Sequence, residues 1–345
     1  MSAGLAAELT RLGQLTDGRI RRALDEHMSA TAGRLRAMLE YHLGWRGPDL
    51  QPLAVHAPAG KKLRPALAML VCNAVGGSEE AALPAAASVE LIHNFSLIHD
   101  DIQDRSELRR HRPTVWSLWG AAQGINAGDA LFALAQIVIL EVPTEAAARM
   151  AAELNRTALL LAEGQYLDIE LQGGGSSPTP RAYEAMITRK TGVLFASACR
   201  LGAMAGGAAR EVEAAYAAYG LELGLAFQEQ DDVLGVWGLP SETGKPAAAD
   251  VLERKRGLPA AIALSRAAAP RWLTSAYADR DGAMDEHLVQ RVIDHFDQLN
   301  LRAEVQRRVE QRSRRALDSL HRAAPREPVQ SYLAALTETL VARRA

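Results

Sequence analysis

Hydrophobic positions recur at intervals of three and four along most of the chain, with Ala and Leu on one face and Glu and Arg on the other. Alternating runs of β-branched or aromatic residues, the mark of strands, are scarce. The pattern therefore predicts helices throughout. Gly76-Gly77 and the run Gly173-Gly174-Gly175-Ser176-Ser177-Pro178 read as stops, and a third break spans Gly238 to Pro246. Pro84 is expected in the first turn of a helix running toward Asp104. Thr179 and Pro180 read as the N-cap and first residue of another long helix. Helices of roughly 20 residues or more between such breaks predict an all-α bundle rather than α/β layers. The glycine-serine run is too short for a domain linker and no repeat of solenoid length is present, so one domain over 1–345 is expected. From Leu301 onward the pattern is helical and rich in Arg, expected to be a solvated face.

Composition narrows the class. With 48% hydrophobic and 23% charged residues the chain is globular rather than disordered. Its 39 Lys+Arg against 41 Asp+Glu leave no basic excess to attract nucleic acid. Cys72 and Cys199 lie in apolar helical stretches and outside any C-x-x-C pair, so both are expected to be core thiols. Glu8, Arg11, Asp17 and Arg19 interrupt any secretory apolar region after Met1. The longest apolar run, Leu131 to Leu140, contains Gln136 and falls short of the roughly 20 residues of a bilayer span. No membrane span and a cytoplasmic location are the expectations.

The stretch Leu91-Ile92-His93-Asn94-Phe95-Ser96-Leu97-Ile98-His99-Asp100-Asp101-Ile102-Gln103-Asp104 carries the first candidate chemistry. At about 100° per residue, Asp100 and Asp104 lie one above the other on a helix, and Asp101 stands about 100° round. Three carboxylates this close repel, at a helix end where negative charge is already unfavourable. Either this is a solvated acidic end, or a divalent cation relieves the repulsion; hard oxygen ligands suit Mg²⁺. A second cluster, Phe227-Gln228-Glu229-Gln230-Asp231-Asp232, ends another apolar run, with Gln228 sharing a face with Asp231 and Asp232. Two such helix ends, set across a bundle mouth, would hold several Mg²⁺ ions bridged by a diphosphate.

Cations for a second anion stand elsewhere. In Gly60-Lys61-Lys62-Leu63-Arg64-Pro65, Lys61 and Arg64 are three residues apart at a helix start, a favourable place for an anion. The frame is not a Walker loop. Arg109-Arg110-His111 follows the first acidic cluster, while Lys245 in Gly244-Lys245-Pro246 and Lys255 follow the second. Each alone reads as surface charge; their placement just after acidic clusters points to anion binding. His93, seven residues before Asp100, lies near the same face and reads either as an anion donor or as a structural hydrogen-bonder.

In order along the chain stand Gly60-Lys61 with Arg64-Pro65, His93 before D-D-x-x-D, and Arg109-Arg110. Glu163-Gly164-Gln165 with Asp168 follow, then Lys190-Thr191, Phe227-Gln228 with Asp231-Asp232, Gly244-Lys245-Pro246, and Asp250 with Lys255. The ordered set resembles the trans-isoprenyl diphosphate synthases of the polyprenyl synthetase family. The likeness runs from about Gly60 to Pro259, with a motif-bearing core of about 60–260, and is greatest to short-chain geranylgeranyl diphosphate synthases. The resemblance implies a single-domain, isoprenoid-synthase-type helical bundle with a deep central cavity, assembled as a homodimer. It implies that Asp100, Asp104 and Asp231 ligate Mg²⁺, three ions per site with substrate bound, with Asp101 and Asp232 supporting. Arg109, Lys190 and Lys255 would hold an allylic diphosphate of C5 to C15, with Lys245 closing on it. Lys61, Arg64, His93 and Arg110 would hold isopentenyl diphosphate, and Thr191 and Gln228 would line the reacting end. The implied reaction is a Mg²⁺-dependent head-to-tail (1′-4) condensation giving an all-trans prenyl diphosphate.

Three positions depart from the family's commonest pattern. Gly235 stands where an aspartate often closes the second motif, His111 replaces a frequent glycine, and Glu229 occupies a position more often apolar and is expected to face away from the cavity. In similar enzymes an aromatic residue such as Phe95 beside a small one such as Ser96 goes with a C20 product, so geranylgeranyl diphosphate is the expectation. On a helical wheel Phe95 lies about 140° from Asp100, which leaves its place in a cavity open. A class I terpene cyclase needs no second diphosphate site, against Lys61, Arg64, His93 and Arg110. Prenyl transfer to an acceptor other than isopentenyl diphosphate stays open through Gly235. An all-helical phosphohydrolase built on the His99-Asp100 pair would leave the second Asp pair and the lysines without a use.

Overall fold

The computed structural model describes residues 3–58, 60–142, 145–173, 178–239, 247–279, 284–324 and 326–341. Nearly all of them are helical, as the periodicity predicts. Their contacts gather in two compact units: residues up to Leu159 with Leu194–Ala217 and Arg322–Leu333, and Leu160–Val193 with Ala218–His321 and the chain from Ala334 on.

The first unit contains α1 (Ala3–His27), α2 (Gly33–His42), α3 (Leu63–Ala74), α4 (Glu79–Gln103), α5 (Val115–Trp119) and α6 (Ala121–Ile139). Between α4 and α5 lies a hairpin of β1 (Leu108–Arg109) and β2 (Arg112–Pro113), with Arg109 opposite Arg112. α4 starts earlier than Pro84 suggests. Ser78 caps it by accepting from the Ala81 N–H, and Glu79 and Glu80 occupy the first turn. Pro84 therefore sits inside the helix, where it forgoes one backbone hydrogen bond. α6 lies close on α4 because Gly124 and Gly128 have no side chains. A Cβ on Gly128 would stand 2.1 Å from His99 Nε2, and one on Gly124 2.8 Å from Ile102 Cδ1. By length and composition α4 and α6 are each apolar enough to cross a bilayer, which counting the longest unbroken run missed. Much of each is buried against the rest of the unit, as in core helices.

α7 (Ala147–Gly173) runs from the first unit into the second. Thr179 caps α8 (Pro180–Ile187) with Pro180 in its first turn, as the sequence indicates. Thr188–Gly192 form a π-helical turn that leads into α9 (Val193–Ala205). α10 (Arg210–Trp237) enters the second unit from Ala218. There follow α11 (Ala249–Leu252), α12 (Leu258–Ser265), α13 (Arg271–Ala278), α14 (Glu286–Gln298), α15 (Leu301–Ala323) and α16 (Val329–Val341). The core of the second unit gathers Tyr183, Leu225, Val233, Leu258, Phe296, Val305 and Val309.

α15 is not simply a solvated face. Arg312, 7% exposed, pairs with Glu184 and Glu222, and Arg308 reaches Glu229 at 3.2 Å. Arginine stems cover apolar neighbours while their heads find carboxylates, so a charged periodic pattern can face inward. Cys72 and Cys199 are both free and buried, as expected.

Candidate active site

The sequence-predicted residues fall into two groups, one in each unit. In the first, Asp100, Asp101 and Asp104 close the C-terminal end of α4, with Asp104 as the C-cap. Asp101 is 2% exposed and accepts from Arg109 Nε at 2.8 Å and Nη2 at 2.7 Å. Burial raises its pKa, while the Arg109 bonds and charge oppose that rise. Asp100 is partly buried and Asp104 exposed.

The β1–β2 turn fixes where the two arginines go. Only Arg110 and His111 separate the strands, and both have positive φ, 51° and 62°. A two-residue hairpin matches the strand twist only with left-handed residues, which is why glycine is favoured and histidine strained there. Arg109, on the strand, reaches Asp101. Arg110 turns the other way, and its Nη2 lies 2.7 Å from where a Cβ on Gly60 would stand. Gly60 itself has φ +93°, so it serves both the turn and the guanidinium.

Arg110 belongs to a basic recess. Arg64 stacks over Phe195 at 4.5 Å and stands 3.4 Å from His93 Nε2. Burial, then Arg64 and Arg110, hold the His93 pKa well below the ordinary histidine range. Glu90, 3% exposed, receives the Asn94 amide at 3.0 Å, and burial raises its pKa. Lys62 is paired with Asp17, whereas Lys61 is exposed just before α3. Phe95 packs edge-on against His99 and Phe132, and Ser96 Oγ donates to the His93 carbonyl at 2.8 Å.

In the second unit, Lys190 Nζ donates to Asp168 Oδ2 at 2.5 Å. α7 crosses close by, since a Cβ on Gly164 would lie 2.4 Å from the Lys190 N. Thr191 Oγ1 donates to Gln228 Oε1 at 2.9 Å, and Gln228 Nε2 donates to Asp232 Oδ1 at 3.1 Å. Asp232 Oδ2 also accepts the Leu258 N–H at 2.7 Å. Burial pushes the Asp232 pKa up to about 7, against the pull of the Leu258 and Gln228 donors. Asp231 is partly buried beside it on α10. Lys255 holds Asp250 Oδ1 at 3.2 Å and Glu253 at 2.8 Å. Glu229 faces Arg308 and is 0% exposed. Lys245 lies outside the described residues, as does most of the break from Gly238 to Pro246.

Residues 50–295 match the polyprenyl synthetase family. The chain belongs to that family. It is 42% identical over 261 residues to the (2E,6E)-farnesyl diphosphate synthase of Mycobacterium bovis, covering 74% of this chain and 68% of that protein. It is also 42% identical over 245 residues to the geranylgeranyl diphosphate synthase of Mycobacterium tuberculosis, covering 70% and 69%. Among solved structures, the polyprenyl synthetase of Streptomyces coelicolor A3(2) matches with a TM-score of 0.89 at 34% identity, over 97% of this chain and 99% of that one. As a polyprenyl synthetase the chain is a trans-prenyltransferase.

Two features of this polyprenyl synthetase were invisible in the sequence. His42, at the end of α2, lines the basic recess with Arg109, Arg110 and Arg112. Its Nε2 is buried with no hydrogen-bond partner among the described residues, and burial with the arginine charges pushes its pKa down to about 3. No spacing rule links a residue on α2 to a hairpin so far along the chain. The other is the π-helical turn carrying Lys190 and Thr191, a wider turn common at functional sites. Gln165, which the ordered motifs include, has both amide atoms buried with no hydrogen-bond partner among the described residues. Carboxylates, amides and a hydroxyl make a hard-oxygen donor set suited to Mg²⁺ rather than to a thiophilic metal.

Proposed function

We propose that this trans-prenyltransferase condenses isopentenyl diphosphate head-to-tail with allylic diphosphates of C5 to C15, ending at geranylgeranyl diphosphate (C20). The observation that carries the reading is the basic recess of Arg64, His93 and Arg110. Arg64, Arg110 and His93 gather around the single buried carboxylate Glu90, an excess of basic groups suited to a second anion beyond the one at the acidic clusters. A cyclase has no use for it.

In this reading Asp100, Asp104 and Asp231 hold Mg²⁺, three ions with substrate bound, and Asp101 and Asp232 support them. Bound Mg²⁺ supplies electrostatic stabilisation of the leaving diphosphate. Arg109, Lys190 and Lys255 bind the allylic diphosphate, Lys190 aimed by Asp168, and Lys245 closes on it. Lys61, Arg64, His93 and Arg110 bind isopentenyl diphosphate. As the allylic C1–O bond breaks, its electron pair leaves with diphosphate and positive charge spreads over the allyl group. Thr191 and Gln228 present oxygen dipoles to that charge, held in place by the Thr191–Gln228–Asp232 chain of hydrogen bonds. The isopentenyl alkene then bonds to C1, and a proton passes from its C2 to the departed diphosphate. Phe95, braced by Phe132 and next to small Ser96, limits the product. The whole chain acts as one polyprenyl synthetase domain, in a cytoplasmic homodimer.

The test incubates purified protein with Mg²⁺, labelled isopentenyl diphosphate and C5, C10 or C15 allylic diphosphates, then sizes the alcohols after phosphatase treatment. A dominant C20 alcohol is expected, lengthening in Phe95→Ala. Unchanged length in that variant discards the Phe95 stop, and a hydrocarbon without label discards the synthase in favour of a cyclase.

A further inference from the structure

Guanidinium groups withdrawn from water need a counter-charge, and the recess of Arg64 and Arg110 carries one of its own. Glu90, on α4, is 3% exposed and lies outside every motif of the ordered set. One helical turn on, the Asn94 amide donates to the Glu90 carbonyl at 2.8 Å and to its Oε1 at 3.0 Å, which fixes the carboxylate to its own helix. Around it stand the charges of Lys62 and Arg64, at the start of α3, and of Arg110 in the hairpin. Lys62 has a second partner in Asp17 of α1. Burial lowers the Arg110 pKa, and Glu90 is foremost among the charges that oppose this. His93 on α4 and His42 on α2 face the same arginines but bring no negative charge, and burial with the arginines holds both below the ordinary histidine range.

We propose that Glu90 is the resident counter-ion of this recess, and that it takes up one proton from water when isopentenyl diphosphate replaces it as the partner of Arg64 and Arg110. The inference rests on the diphosphate reading of the recess given under Proposed function. Glu90 acts through the arginines and is a positioning residue. Without ligand, the ionised carboxylate offsets the two guanidiniums. Once a diphosphate sits against them, the same carboxylate becomes a buried like charge beside the incoming anion. Burial already raises its pKa, and the anion raises it further. Protonation removes the repulsion and keeps the Asn94 bond, because a neutral acid still accepts through its carbonyl oxygen. Uptake by His93 or His42 would instead add a cation among arginines. Where the pH lies between the free and bound pKa values of Glu90, affinity therefore weakens as pH rises.

The test is calorimetric titration of isopentenyl diphosphate into the full chain, without allylic substrate so that nothing turns over. It is run in buffers of different ionisation enthalpy, at pH values where the free ligand is fully ionised. Wild type is expected to take up about one proton per diphosphate bound and to lose affinity about tenfold per pH unit. Glu90→Gln, which copies the protonated carboxyl, is expected to take up none and to keep an affinity that does not fall with pH. Infrared difference spectra of wild type, with and without isopentenyl diphosphate, are expected to gain the carbonyl stretch of a protonated carboxylic acid; this decides should Glu90→Gln fail to fold. No uptake in wild type, uptake that persists in Glu90→Gln, or no acid carbonyl stretch would overturn the role of Glu90. Weaker binding in Glu90→Gln with the wild-type pH dependence would overturn it too, leaving a merely structural residue. No saturable binding in wild type, or binding unchanged in the double variant Arg64→Ala/Arg110→Ala, would instead overturn the diphosphate reading of the recess.

Discussion

Asp101 and Asp232 are both buried carboxylates in the last two turns of a long helix, and the fold surrounds them in opposite ways. Asp101 meets a guanidinium: Arg109 bonds both of its oxygens and neutralises its charge. Asp232 meets the Leu258 N–H and the Gln228 amide, both neutral, and feels the negative charge of Asp250. Desolvation raises both pKa values, but it takes Asp232 up to about 7. The lesson is that a pair of adjacent aspartates does not have one electrical meaning. Near the end of α4 the buried member is matched by a cation within the fold; in the last turns of α10 it is held by neutral donors and its pKa rises accordingly.

The contrast breaks most sharply at Arg109. Arg109→Ala leaves Asp101 buried without its cation and is expected to lower the unfolding free energy by about 3 kcal/mol, read from urea titration. Replacing both partners by leucine should restore most of that loss. Equal stability of Arg109→Ala and wild type would mean that Asp101 is not matched in this way.

A smaller effect sharpens the Asp232 side. In the unfolded chain an aspartate ionises near its ordinary value, whereas folded Asp232 keeps its proton up to about pH 7. Between those values the unfolded state binds fewer protons, so stability falls as pH rises. This one group should remove about 2 kcal/mol between pH 5 and 7 in the absence of divalent metal, with no further loss well above pH 7. Thermal melts of Asp232→Asn should show a flatter pH profile; parallel profiles would contradict the shift.

The smallest expected change is at the hairpin beside Asp101. His111→Gly relieves a left-handed histidine and should raise the unfolding free energy by about 0.5 kcal/mol. A lower melting temperature in that variant would show that the imidazole makes a compensating contact.

What the sequence disclosed was whatever depends on near neighbours along the chain. The cap and proline of Thr179-Pro180, the stop at Gly76-Gly77 and the first acidic helix end obey short-range rules and stand where expected, whereas the second acidic pair lies more than a turn inside α10, which continues to Trp237. Pro84 misled because a strong cap upstream, Ser78 with Glu79 and Glu80, outweighed one lost hydrogen bond. Arg308 and Arg312 misled because charge was taken for solvent exposure, while their partners Glu184, Glu222 and Glu229 lie on other helices. His42 was hidden because its surroundings, the arginines of the hairpin, are ones that only folding brings near.

The hairpin also constrains how this stretch of chain can change over generations. Its two-residue turn sends Arg109 to Asp101 and Arg110 toward Gly60, and a strand's side chains alternate, so one added or deleted residue would exchange the directions of the two arginines. Both would still be encoded, side by side, yet each would be delivered to the wrong address. Substitution at His111 is therefore a mild event in the history of this segment, whereas a single inserted or missing codon is a severe one.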